Sequence, residues 1–408
     1  MTQQLAPQAR VISGPSLLRD RRGSELPGHA LGRKGFRPFF LLASLYAVFI
    51  VPLWLLILRA HVAPLGSTDP LSWHAHEMLF GYTAAVIAGF LLTAASRWTS
   101  RETAVGMPLY ALALLWLAGR VALCSPLPRG LAAAIDVAFL PAVAFFVGRV
   151  LVRSGNRRNY VMVALLLLLA ASNCVMHLDG LGVLSGWGRP ALHFSLDLVV
   201  VMMVVIGGRV IPMFTRNGTG DDRVRSHEAW DRSAAVLSVV NAVAGLFWGG
   251  STLSALLCAA AAGALIARSR HWGAGASLRD PMLWILHAGN AWIAIGFALR
   301  ALASSFPALA SSATHAFTAG AMGSLTLGMM SRVSLGHTGR MIVASSKTRA
   351  AFMCIVLAGL LRVVGPLFPA WYAGVLVVAG TLWALAFALF AFEYAPLLTR
   401  PRADGALG

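Results

Sequence analysis

The sequence predicts an all-α polytopic membrane protein of about twelve transmembrane helices. Three observations carry this. The 408 residues are 58% hydrophobic and only 12% charged, with a mean hydropathy of +0.73, where a soluble domain is about one quarter charged. Apolar runs of roughly 18–22 residues recur along the chain, each long enough to cross about 30 Å of hydrocarbon. Finally, the basic residues alternate between crowded and sparse loops, as the sides of a membrane require.

In order, a basic tail (1–36) precedes a single transmembrane domain (37–398) and a short C-terminal tail (399–408). The runs fall at 38–58, 73–95, 106–123, 130–150, 160–178, 191–213, 233–249, 251–267, 281–300, 311–331, 350–367 and 371–392. The seventh and eighth are short and joined by a tight WGGS turn (248–251). An even number of crossings puts both ends on one side. With that alternation, 27 of the 33 Lys/Arg lie on the side of the termini. The other six are Arg59, Arg120, Arg129, Arg189, Arg300 and Arg362. Positive loops face the cytoplasm, so both termini are expected there. The net charge of +18 is thus a topology signal compatible with anionic lipid, not a nucleic-acid surface. The first 36 residues show no signal peptide, and no apolar segment follows Arg21-Arg22 as a twin-arginine signal needs. Cys124, Cys174, Cys258 and Cys354 sit in apolar runs without a CxxC and read as packing residues.

His76, His193 and His315 occupy the same place in spans two, six and ten, about three to five residues inside the outer end, roughly 5–8 Å deep. Successive intervals of 117 and 122 residues each cover four spans, and the far ends rhyme (GFLLTAASR, GGRVIPMFTR, GMMSR). This predicts three like-oriented four-helix units about a pseudo-threefold axis.

A lone histidine in a transmembrane helix most often bonds a neighbouring helix, yet intramembrane ionisable groups also mark sites. His74 and His76 are about 200° apart on a helix and cannot both face one metal. The stripe of His74 is expected to run through Met78, Gly81 and Ala85, that of His76 through Phe80, Thr83 and Ile87. His193 and Asp197 are i,i+4 partners, a carboxylate that can orient a ligating imidazole, or simply a helix-pairing contact. His287, in WILHAGNAW, lies nearer the inner side and reads as a separate ligand or a hydrogen-bonding group. His177 reads as a boundary residue, and His29, His61, His227 and His271 as solvated. The expected ligand sets are His76 with His315, and His193 with His74. Glu77, Asp136 and Asp197 are candidates to steer ligands or relay protons, though helix pairing accounts for them equally. Imidazole suits haem iron, copper and zinc. The Gly- and Ala-rich stripes beside His74 and His315 can supply a haem slot, and the lack of CxxCH excludes covalent attachment.

The stretches GFRPFF (35–40), WHAHEMLFGY (73–82), GGRVIPMFTRN (207–217), HAGNAW (287–292) and ATHAFTAGAMGSLTLGMMSRVSLGHTGR (313–340) together resemble the NnrS family. The resemblance implies an inner-membrane protein that carries haem (haem b) and copper and acts in the response to nitric oxide and nitrosative stress. A looser likeness is to haem–copper oxidases, whose twelve spans form three four-helix arcs. Here span seven has no histidine pair, so their copper site is not reproduced. Nitric oxide turnover and binding without turnover both remain open, with the second favoured. The alternatives are a twelve-span secondary transporter for a metal, haem or small solute, which would show helices broken near the midplane, with Pro141 and Pro212 the candidates, and an assembly factor without a stable cofactor.

Overall fold

A computed structural model describes residues 30–59 and 69–406. The tail through His29, with Arg21-Arg22, and the loop bearing His61 lie outside the described residues. Twelve principal helices follow one another: α1 (Phe36–Leu58), α2 (Pro70–Thr99), α3 (Met107–Leu123), α4 (Arg129–Arg153), α5 (Arg157–Gly180), α6 (Gly188–Thr219), α7 (Glu228–Trp248), α8 (Thr252–Ser269), α9 (Pro281–Ala303), α10 (310–337), α11 (Ser346–Leu367) and α12 (Pro369–Thr399). No strand occurs among the described residues, and the four cysteines are unpaired.

Each expected apolar run is helical, but by length and composition nine of these helices can cross a membrane among the described residues. The other three are α3, α7 and α10. Helix α3 has 17 residues, and α7 opens on Glu228 and Asp231. Helix α10 is rich in Ser, Thr and Gly, and packs against α9, α11 and α12. A helix enclosed by protein need not be apolar all round.

Neighbouring helices pack in sequence, and the chain closes on itself where α1 meets α12. Arg37, fully buried, donates to the carbonyls of Leu397 (3.3 Å), Leu398 (2.8 Å) and Arg400 (2.7 Å). The last carbonyls of a helix have no partner within it, so this guanidinium caps α12 and holds the start of α1 beside it. The loop after α10 joins the same knot. Gly339 takes φ +72°, and Arg402 and Ala403 bond the carbonyls of His337 (3.0 Å) and Thr338 (2.9 Å). The chain's own C-terminal segment therefore occupies the GHTGR loop.

The two prolines act differently. Pro141 cannot bond the carbonyl of Val137 and its ring crowds it, and α4 is interrupted at Ala138. Pro212 leaves α6 continuous.

Two π-helical segments matter most for the sites. Glu77–Thr83 in α2 and Ala316–Met322 in α10 follow directly on His76 and His315. Such segments add one residue to a turn and occur frequently at functional sites. Thr83 Oγ1 bonds the carbonyl of Met78, five residues back (2.7 Å). Below His74 and Met78 the cavity-facing stripe therefore passes to Thr83 and Ile87, not to Gly81 and Ala85 as uniform α-helical spacing suggests. Gly81 instead faces Tyr46 and Arg120, and a Cβ there would lie 2.7 Å from the Tyr46 ring.

Helices α9, α10 and α11 approach most closely at Gly320. A Cβ on it would meet the Trp292 ring at 2.6 Å, and one on Gly359 would meet the Gly320 Cα at 3.0 Å. Gly320→Val should therefore cost about 1–3 kcal/mol by overpacking. Thermal unfolding in detergent checks this, with the exposed Gly374→Ala unchanged.

Candidate functional site

Two constellations of ionisable groups lie near the end of the bundle where α2 and α6 begin. The first is a cavity of about 470 Å³ walled by α1, α2, α6, α10, α11 and α12, within the range of small-molecule pockets. His74, His193 and His315 all line it, with Arg189 and Arg362 as its cations and Trp54, Met78, Leu196 and Trp383 among its apolar walls. Local sequence sets each imidazole. Asp69 caps α2 by accepting from Leu71 N and Ser72 N, both 3.0 Å, and Pro70 starts the helix. Burial raises the Asp69 carboxyl, but the bonds from Ser72 and Leu71 outweigh it and hold it below the usual carboxylate range.

His74 lies stacked on Trp54, ring centroids 4.1 Å apart. Its Nδ1 is buried with no hydrogen-bond partner among the described residues. Leaving a polar atom so costs about 1–3 kcal/mol. His315 Nδ1 donates to the Ser311 carbonyl (2.7 Å), which leaves its Nε2 as the lone-pair nitrogen. That is the arrangement typical of a metal-ligating imidazole. His193 is exposed on the cavity wall. Arg362 is held by the Tyr372 hydroxyl (2.8 Å). This donor set fits an imidazole-ligated group that is largely apolar and bears carboxylates.

The second constellation sits on the opposite face of α2. His76 Nδ1 is 2.9 Å from Glu77 Oε1, and its Nε2 is 3.1 Å from Asp136 Oδ2. Asp136 Oδ2 also meets His177 Nε2 and Asn173 Nδ2, each at 2.8 Å. Arg120 bridges the two carboxylates, through Glu77 Oε2 at 2.7 Å and through Asp136 Oδ1, and the Tyr46 hydroxyl contacts Glu77. His76, Glu77 and Asp136 are each no more than 4% exposed. Ligand atoms of His76, Asp136 and His177 all lie within 4.8 Å of one another, close enough to hold a metal ion. A cavity of about 260 Å³ reaches His76 and His177.

The fold therefore separates the expected pair His76 and His315, because two residues two apart point to opposite sides of α2. It puts His74 and His193, the second expected set, on one cavity and adds His315 to them. Asp197 does not hold His193. It accepts from Arg300 at 2.6 Å. Glu77 and Asp136 do orient an imidazole, that of His76. His287 lies outside the large cavity and shares a 2.8 Å hydrogen bond with Thr215 Oγ1.

His177, near the end of α5 as expected, also bonds Asp136, and that contact and the site roles of Asn173, Arg120, Tyr46, Trp54 and Arg362 escaped the sequence reading. One signal was available. Asn173 and His177 are i,i+4, on one helix face, and three of the few outer-side arginines (Arg120, Arg300 and Arg362) have side-chain partners in the bundle.

The family profile described as NnrS protein matches residues 30–402. No curated protein matches the chain.

Proposed function

The chain belongs to the NnrS family, membrane proteins associated with haem, copper and the nitric oxide response, and from that premise we propose that its large cavity holds a haem b between His74 and His315. The observation that carries this reading is the convergence of three imidazoles from α2, α6 and α10 on one largely apolar cavity. A haem held there would supply a ferrous iron able to exchange one of the two imidazoles for nitric oxide. The chain's own residues do the rest. Trp54 fixes the His74 ring and the Ser311 carbonyl fixes that of His315. Arg189 and Arg362 suit the two propionate carboxylates, and Leu79, Leu196 and Trp383 keep water out. His193 stands free to meet a bound ligand. The function is protection against nitric oxide by binding it, with turnover not required.

On the family premise copper is assigned to His76, Asp136 and His177, whose imidazoles can hold it, although two imidazoles and a carboxylate equally suit a non-haem ferrous ion. Arg120 beside Asp136 opposes a further cation. His177→Ala should therefore lower copper in the purified protein while leaving haem unchanged, as metal analysis and the haem absorption band would show.

The twelve helices are read as twelve crossings in three four-helix units, with α2, α6 and α10 innermost and both termini in the cytoplasm of a bacterial inner membrane. The 27-to-6 distribution of Lys/Arg supports this, as does the meeting of α1 and α12 at Arg37. A reporter active only in the cytoplasm should work when fused after Gly408.

The test of the reading is haem and metal analysis of protein purified from membranes. A Soret band that sharpens on reduction and shifts with nitric oxide is expected. Protein free of haem but still transporting a metal or haem into vesicles would favour the transporter instead.

A further inference from the structure

Midway along α2, α6 and α10 lies another cavity, of about 90 Å³. Its walls include Val86, Ile87, Val199, Met202, Leu286 and Leu325, all apolar. Cavities of this kind stay dry and accept guests such as xenon, and this one is too small for a haem. Met322 lines both this cavity and the large histidine-lined one. Thr83 Oγ1, whose one proton goes to the Met78 carbonyl (2.7 Å), lies 2.9 Å from its Sδ, and Thr83 and Met322 are the last residues of the two π-helical segments. The buried Met322 side chain, packed against that hydroxyl, thus stands between the chambers. Phe90, Ile206 and Met329 on the cavity wall are only half-buried, at a depth where the surrounding solvent is hydrocarbon.

We propose that this cavity is the entry and docking site for a small apolar gas, nitric oxide on the reading above, and that Met322 is the gate to the histidine-lined chamber. The physical case is one of matching. A neutral diatomic concentrates in the bilayer and gains nothing from the arginine-bearing outer cavity. The inner route offers it a wall that is apolar save for the Thr83 and Thr326 hydroxyls, both bonded within the protein. An unbranched methionine with three rotatable bonds swings aside at lower cost than any branched side chain in its place. The gas-binding cavity stands on geometry alone, while its role as an entry route rests on the haem assignment.

The experiment has two arms, both on the full chain in lipid nanodiscs. Xenon binding, read by the chemical shift and relaxation of dissolved 129Xe, should be saturable and should be lost in Ile87→Trp. Ile206→Phe, on the half-buried wall, gives a second blocking variant if Ile87→Trp does not fold. The rate of nitric oxide association with the reduced haem, measured per haem bound, should fall roughly tenfold in either blocking variant and rise in Met322→Ala. No saturable xenon in the wild type would overturn the cavity as a gas site. Xenon binding with unaltered nitric oxide rates would overturn the route and the gate. If the protein carries no haem, the xenon arm still decides the cavity, and the failure belongs to the cofactor reading.

Discussion

Replacing Arg120 by methionine should remove about 3–5 kcal/mol of stability, the order expected when one partner of a buried ion network is lost. The guanidinium is 7% exposed and lies between Glu77 and Asp136, at 3% and 4%. Without it, two buried carboxylates have only the imidazoles, the Asn173 amide and the Tyr46 hydroxyl to compensate. The effect should appear as a large fall in the thermal unfolding midpoint. It should be partly restored by adding Glu77→Gln and Asp136→Asn, because neutral amides need no counter-charge. Arg232→Ala is the control. Its i,i+4 pair with Glu228 is exposed, and surface pairs contribute little. If Arg120→Met unfolds like the wild type, the network is not the support that its distances imply.

The second large effect concerns haem. His74→Ala and His315→Ala should each strip most haem from the purified protein, whereas His177→Ala should leave it in place. A group that merely orients a metal ligand is worth about 10–100-fold in affinity, so loss of the ligand itself should exceed that. The bundle should survive, because neither ring makes a side-chain hydrogen bond to another helix: His315 bonds within its own helix and His74 stacks on Trp54. The haemochrome spectrum measures haem content, and circular dichroism checks the fold. Full haem in both alanine variants would remove the cavity assignment without touching family membership.

Helix content was readable because membrane crossing is a local requirement. About 20 apolar residues must make their own backbone hydrogen bonds in hydrocarbon, and that demand is written in consecutive residues. The same holds for the placement of His76, His193 and His315 near the starts of α2, α6 and α10. Direction around a helix is local only while the spacing is uniform. The π segments at Glu77–Thr83 and Ala316–Met322 break that uniformity. They exchange Gly81 for Thr83 on the cavity side, and no residue pattern announced them.

By itself, then, the sequence determined an all-α membrane bundle, its family, and a handful of imidazoles near the starts of its helices. Only the tertiary structure decided which of them meet. His74 reaches His315 from 241 positions away, and His76 finds Asp136 and His177, 60 and 101 positions on. Such contacts depend on how helices rotate and pack against one another. A transmembrane helix can satisfy its own length and hydropathy with either histidine turned inward, so nothing local to WHAHEM could choose between them.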